Sequence, residues 1–148
     1  MNDGQNTTFD FGDGRGKIPA KQHTNPDGSV GGWLALNASV SPKVFVGIHA
    51  RILGGTIEGG TIWGGTIKGG EWKTSPLQIQ GSAHFVNMAS RTVLIIGCIE
   101  LTLEKWREKR VILGQANGYT AEQIEEYSMY IELAAKLYPP VEETKDAA

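Results

Sequence analysis

The stretch GGTIEGGTIWGGTIKGGEW, residues 54–72, contains three copies of a five-residue unit that begins Gly-Gly-Thr-Ile, and it ends at a tryptophan. One large apolar residue recurs every five positions, at Ile52, Ile57, Ile62, Ile67 and Trp72. A fixed short period is typical of a chain that coils and stacks equivalent short strands on one another. The repeat therefore predicts a stack of strands with these five side chains inside.

The residues before this run repeat with a period of six. The hexads Leu34–Ser39, Val40–Phe45 and Val46–Arg51 each begin with an aliphatic residue and carry a small or β-branched residue at the fifth position. This pattern is typical of a hexapeptide β-helix, in which each hexad forms one flat side of a triangular coil. Residues 34–75 are accordingly predicted to form a β-helix segment.

The shortening from six to five residues resembles pentapeptide-repeat helices, and the coil is expected to become four-sided there. Glycine tolerates the tight corners that a five-residue step requires. Glu58, Trp63 and Lys68 are the residues that differ between the pentads, and we expect them to point outward. A phosphate-binding loop is not indicated, because neither GxxxxGK followed by Ser or Thr nor GxGxxG occurs in the run.

Composition divides the chain into five predicted segments. They are a Gly-rich N-terminal arm (1–33), the β-helix repeat (34–75), a small β-hairpin (76–100), an αα-hairpin (101–139) and a disordered tail (140–148). The fold class predicted is mainly β with C-terminal α, built on a short left-handed-type hexapeptide and pentad β-helix. The arm is expected to be extended or partly disordered until it packs on another surface.

Local signals predict both helices. Thr120 and Gln123 form a capping box ahead of apolar residues spaced for one helix face, and Pro139 ends that helix. An earlier helix is predicted from Thr102 to Leu113, closed by Gly114 or by Asn117-Gly118. Its EKWREKR stretch is interpreted as a solvated face, with a binding patch as the alternative.

Charge and cysteine content narrow the classes of function. The 148 residues carry a formal net charge of −2 and a pI near 5.9, so nucleic-acid binding is not indicated. The single cysteine, Cys98, excludes an intramolecular disulfide and fits a reducing cytoplasm. A signal peptide and a membrane span are not expected, since no run of apolar residues is long enough.

Several short segments together resemble a group of small bacteriophage and prophage proteins that carry a hexapeptide-repeat segment and a C-terminal two-helix region. The matching segments are residues 18–23, 31–35, 69–73, 75–81, 96–98, 118–120 and 123–124. The group is mostly of unassigned function. Lys21 stands where the resemblance implies a second histidine near His23, and the pentads are a further departure. The resemblance implies a phage protein of the host cytoplasm.

The function predicted is a non-enzymatic binding module that inhibits or sequesters a host defence component. About two short coils bury little surface, so a homotrimer is expected, with Trp63 in or beside the interface. The candidate binding residues are Trp33, Arg51, Trp63 and Lys68, because Trp and Arg supply most interface hot spots. A host protein or a small nucleotide is the expected partner. No cofactor and no catalytic residue is predicted.

Two alternatives remain open. One is a structural or fibre-associated phage protein. The other is a hexapeptide-repeat acyltransferase, in which His49, the only histidine of the repeat, would be the general base.

A second cluster of reactive side chains comprises His84, Cys98 and Glu100. If residues 83–88 and 92–98 pair as a hairpin, the imidazole and the thiol approach each other, and these three ligand types suit zinc. A packed cysteine beside a strand histidine is the preferred interpretation, and no metal site is predicted.

Overall fold

The computed structural model describes residues 7–140, which form fourteen β-strands followed by two α-helices. The prediction of a mainly β chain with helices at its C-terminal end is confirmed. Residues 1–6 of the predicted arm and residues 141–148 of the predicted tail lie outside the described residues.

The predicted N-terminal arm is an antiparallel meander of three strands. Strand β1 (Thr8–Asp10) pairs with β2 (Lys17–Thr24), and β2 pairs with β3 (Val30–Ala35) through an irregularity between Gln22 and Thr24. Phe9, Phe11 and Ile18 give these strands apolar side chains to pack against Trp33, Ala35 and Leu53. The meander is therefore ordered by its own small apolar cluster, which the glycine-rich composition did not indicate.

The repeat forms seven strands of two residues each, which lie in three parallel stacks. The strands are β4 (Ser39–Val40), β5 (Phe45–Val46), β6 (Arg51–Ile52), β7 (Thr56–Ile57), β8 (Thr61–Ile62), β9 (Thr66–Ile67) and β10 (Glu71–Trp72). One stack has the order β3, β6, β9, the second β4, β7, β10, and the third β5, β8.

The pentads return to the same stack after three steps, and the expectation of a four-sided coil is wrong. Ile52 pairs with Ile67 and Ile57 with Trp72, whereas Leu34 pairs with Ile52 across the longer hexad section. Glycine pairs make the shorter step feasible. The second glycine of each pair has φ between 81° and 98°, and an added Cβ would lie 2.8 Å from the Lys68 carbonyl oxygen at Gly54 and 2.6 Å from the Lys73 carbonyl oxygen at Gly59.

The second residue of each pentad strand faces inward, as the sequence predicts. Ile57, Ile62, Ile67 and Trp72 are at most 1% exposed, while Glu58, Trp63 and Lys68 are exposed. At the end of the repeat, the Trp72 ring meets Tyr138, the cap residue that follows the second helix, edge to face with centroids 5.7 Å apart. The interior of the stacks thus continues into the C-terminal core.

Side chains complete the hydrogen bonding at both ends of the β5–β8 stack. On the β5 side, Asn25 accepts from the Val46 amide (2.8 Å) and donates to the Val46 carbonyl (3.2 Å), as a neighbouring strand would. On the β8 side, Gln78 accepts from the Trp63 amide (2.6 Å) and donates to the Thr61 carbonyl (3.0 Å). Both amides therefore satisfy backbone groups that would otherwise be left unpaired at an edge.

The predicted hairpin belongs to a larger antiparallel sheet of four strands. These are β11 (Gln78–Gln80), β12 (Phe85–Met88), β13 (Val93–Ile96) and β14 (Ile99–Thr102), paired in chain order. The pairing of β12 with β13 is the predicted one. The outer strands β11 and β14 extend it on either side, and the apolar residues of the sheet join the main core.

Helices α1 (Leu103–Ala116) and α2 (Ala121–Leu137) follow with the predicted caps. Thr120 accepts from the Gln123 amide (3.1 Å), and the Gln123 side chain accepts from the Thr120 amide (2.9 Å). The first helix starts after Thr102, but it continues three residues beyond the predicted Leu113 and ends at Asn117-Gly118. Tyr127, Ile131 and Ala134 are buried, which confirms the predicted inner face of α2.

Candidate functional site

The three stacks differ in what covers their outer sides. The N-terminal meander packs on the β3–β6–β9 stack, where Leu53 is only 9% exposed beneath it. The first residues of the β4–β7–β10 strands are the polar Ser39, Thr56 and Glu71. The β5–β8 stack instead presents Phe45 and Trp63. On this stack the exposed ring of Trp63 lies beside the half-buried ring of Phe45.

Trp63 is the centre of this exposed surface. It is 67% exposed, and its ring centroid lies 5.3 Å from that of Phe45 at an interplanar angle of 52°. Ile48 is half exposed. It follows Gly47, which lies so close to the Trp63 backbone that an added Cβ would clash with the Trp63 carbonyl oxygen. We refer to Phe45, Ile48 and Trp63 as the aromatic surface. Large aromatic side chains held on rigid strands and left in solvent are typical of interaction sites.

Trp33 and Arg51, also predicted as binding residues, are engaged within the chain. The Trp33 ring stacks on Phe9 with centroids 4.7 Å apart and an interplanar angle of 12°. Arg51 donates to the Phe11 carbonyl (3.1 Å) and lies over the Phe9 ring at 5.4 Å. Both side chains therefore hold the N-terminal meander on its stack. Neither contributes to the aromatic surface.

Lys68, the fourth predicted binding residue, forms an ion pair with Glu100 at 2.7 Å. Its side chain is 38% exposed and that of Glu100 is 39% exposed, so the pair lies in solvent and contributes little to stability. Lys68 follows Ile67 on the meander-covered stack, whereas Trp63 follows Ile62 on the third stack. The structure thus distributes the four predicted residues over two stacks.

His49 is exposed in the turn between β5 and β6, and it has no hydrogen-bond partner within residues 7–140. A general base is normally held in position by a second group that fixes its tautomer and its orientation. The described part of the chain supplies no such group to His49.

His84, Cys98 and Glu100 are not brought together as a metal site. His84 Nδ1 is hydrogen-bonded to the Tyr119 hydroxyl at 2.6 Å, and Glu100 is paired with Lys68. The interpretation of Cys98 as a packed residue beside a strand histidine is wrong, because Cys98 is exposed in the turn after β13 and His84 precedes β12. No cluster of three or more His, Cys, Asp or Glu side chains suited to a metal ion occurs among residues 7–140.

A small cavity of about 60 Å³ lies between the four-stranded sheet and the helices, with His84 and Cys98 in its lining. Tyr127 fixes the adjacent loop, since its hydroxyl accepts from the amides of Ala83 (2.9 Å) and His84 (2.7 Å). Burial, reinforced by Tyr127, raises the pKa of Tyr119 to about 12. The polar groups around the cavity are thus largely bonded to one another, and its volume is that of a few water molecules.

This network was not found from the sequence. The sequence positions of Tyr119 and Tyr127 place both near the start of α2. Their hydrogen bonds to the loop before β12 depend on how the sheet packs against the helices, and no periodic pattern in the sequence predicts that packing.

Comparison of the chain with protein-family models, with curated proteins and with solved structures finds no match. Neither helix of residues 7–140 is long and apolar enough to cross a membrane. The assignment of a function therefore depends on the geometry of the surfaces described above.

Proposed function

We propose that this protein is a non-enzymatic, homotrimeric binding module of phage origin, built on a short left-handed-type β-helix. Its role is to inhibit or sequester a host component, a defence protein or a small nucleotide, in the host cytoplasm. The observation that supports this assembly is the aromatic surface, in which Trp63 is 67% exposed beside Phe45.

The trimer follows from the cost of leaving this surface in water. Burying apolar side chains contributes about 25 cal/mol per Å². Three copies arranged around a threefold axis would cover the three Trp63 rings with one another. Of the other two stacks, one has the meander packed against it at Leu53, and the strands of the other begin with polar residues. The β5–β8 stack is thus the side that faces the axis.

The capped stack ends favour a discrete assembly over the fibre alternative. An end-to-end filament requires free backbone donors and acceptors at the edge strands. Asn25 and Gln78 occupy those groups at the two ends of the β5–β8 stack. Growth by addition of a further coil would have to displace both amides.

Nothing in the surroundings of His49 favours the acyltransferase alternative. Its ring is exposed, and it lacks a hydrogen-bond partner within residues 7–140. Replacement of His49 by alanine should therefore leave binding and assembly unchanged, whereas a catalytic base would contribute about 10²- to 10⁴-fold in rate.

Light scattering on the purified chain tests the assembly. We expect the native protein and Lys73→Glu, a matched change on the polar β4–β7–β10 side, to have the same mass, equal to three chains or to a multiple of three. Trp63→Glu should lower the mass while circular dichroism stays native. A native protein that is a monomer at micromolar concentration would rule the trimer out.

Capture from host lysate tests the binding role, with bound proteins and bound nucleotides both analysed. Lys68→Glu is the informative variant, because Lys68 is a predicted binding residue that remains exposed outside the meander contact. Retention by the native trimer and loss with Lys68→Glu would support the proposal. Retention of nothing at all by a correctly assembled trimer would contradict it.

A further inference from the structure

The outer side of α2 carries an apolar stripe that the described chain does not cover. Met129, Leu133 and Leu137 are spaced four residues apart and are 60%, 43% and 53% exposed. Residues four apart lie on one side of a helix, so the three side chains form a continuous row. The opposite side of α2, with Ile131 at its centre, is already buried in the core.

The charges around this stripe are distributed unevenly along the helix. Glu122 and Glu125 lie at its N-terminal end, and Lys136 lies near its C-terminal end. Glu132 does not disturb this pattern, because Arg107 (3.0 Å) and Arg110 (3.2 Å) of α1 are paired with it. The stripe therefore has one acidic end, an apolar middle and one basic end.

We propose that this stripe is an interface between two copies of the chain, in which the two α2 helices pack antiparallel about a twofold axis. An antiparallel arrangement with its centre midway between Met129 and Leu133 sets Met129 of each copy against Leu133 of the other. Lys136 then lies within one turn of Glu125 of the partner copy. A parallel arrangement would set like charges against each other.

Helix dipoles favour the same orientation. The N-terminal end of one helix, with its partial positive charge, lies beside the C-terminal end of the other. Because the same patch serves both copies, the contact closes at two and does not propagate. Self-complementary charge and an apolar centre in one row thus indicate a second copy as the partner.

This interface is separate from the proposed threefold one, since it lies on α2 and the aromatic surface lies on the β5–β8 stack. If both form, the assembly contains six copies. If the threefold contact fails, it contains two. The copy number therefore reports on each interface independently.

Native mass spectrometry and light scattering on the full chain of 16.0 kDa distinguish these cases. We expect an even number of copies for the native protein. Leu133→Glu should halve the mass. Ile112→Glu is the matched control, because Ile112 is 68% exposed on α1 outside the stripe, and it should leave the mass unchanged.

A charge exchange tests the antiparallel orientation. Lys136→Glu and Glu125→Lys should each weaken the contact between the two α2 helices. On dilution, each variant should therefore dissociate to half of its mass at a higher protein concentration than the native chain does. The double variant should restore the native concentration dependence.

An odd native copy number would overturn the proposal, as would a Leu133→Glu mass equal to the native mass. Equal loss of mass with Ile112→Glu would also contradict it. Trp63→Glu acts on the aromatic surface and should reduce six copies to two. If Trp63→Glu leaves the copy number unchanged, that result contradicts the threefold contact but not the α2 interface.

Discussion

The strand stacks and the helical hairpin satisfy their backbone groups in opposite ways. In α1 and α2 each amide bonds to a carbonyl four residues earlier, and a side-chain cap completes the start of each helix. In the stacks each strand of the repeat has two residues, and its partners lie 15 to 18 residues away, as for Ile52 with Ile67 and Leu34 with Ile52. The stacks therefore form only when several turns of the repeat come together.

The two regions should therefore respond differently to substitutions. A helix that loses its cap loses part of one turn. A stack that loses an inward side chain or an end cap loses the contact that keeps successive coils in register, because the strands have no local alternative. Damage to the stacks is thus expected to be large and cooperative, and damage to the helical hairpin small and local.

The largest expected effect is that of Ile62→Asp. Ile62 is fully buried in the stack interior, and an unpaired carboxylate there costs several kcal/mol, roughly, even after relaxation. Ser39→Asp places the same group on the exposed polar side and should change the free energy of unfolding by less than about 0.5 kcal/mol. Chemical denaturation measures both, and equal losses would refute the inward assignment.

Removal of a stack end cap should have the next largest effect. Asn25 is 3% exposed and bonds both backbone groups of Val46, so Asn25→Leu leaves a buried donor and a buried acceptor unpaired. At about 1–3 kcal/mol per group, the two groups together should cost about 2–6 kcal/mol. Asn37→Leu, at an exposed position, is the control. If both variants melt at the same temperature, Asn25 does not act as a cap.

Loss of a helix cap should cost less. Thr120→Ala removes the hydroxyl that accepts from the Gln123 amide, which is expected to cost about 1 kcal/mol. Gln115→Ala, on the exposed side of α1, should be close to neutral. Urea denaturation compares the two variants. If Thr120→Ala lowers the free energy of unfolding as much as Asn25→Leu does, the stacks and the helical hairpin do not differ in the expected way.

The smallest effect is expected from alkaline titration, which probes the C-terminal region alone because all four tyrosines lie between residues 119 and 138. Burial raises the pKa of Tyr119 to about 12, and the hydrogen bond to Glu126 raises that of Tyr130 to about 12. The folded state thus keeps protons that the unfolded state releases near pH 10, so stability should fall as the pH rises from about 10 to 12.

Ultraviolet absorbance of the phenolates, followed with pH, measures this directly. Tyr119 and Tyr130 should titrate late in the folded protein, and Tyr119→Phe should remove one of these two late titrations. If the folded protein shows no phenol that titrates above pH 10, the network around Tyr119 is absent.

Local signals in the sequence were sufficient for part of the fold. The five-residue period identified the inward residues of the stacks, because alternation within a two-residue strand leaves only one side chain per strand for the interior. The capping box at Thr120 and Gln123 located α2, because both of its hydrogen bonds lie within four residues.

The candidate site could be predicted only in part. An exposed tryptophan at position 63 follows from the register alone, since it comes directly after an inward isoleucine. Trp33 and Arg51 were predicted as binding residues on similar grounds, but contacts with Phe9 and Phe11 engage both side chains within the chain. The position of the meander depends on the packing of Phe11 with Leu53, which lies far from it in the sequence.

Inward side chains of the pentads, the starts of both helices and the stacking of short strands could thus be read from the sequence. The return of the pentads to the same stack after three steps, the capping of one stack by Asn25 and Gln78, and the exposure of Trp63 required the folded chain. The two sets differ in the range of the interactions that produce them. Side-chain alternation and helix capping act within a few residues, whereas strand pairing in the stacks and capping of their ends join residues 15 or more positions apart.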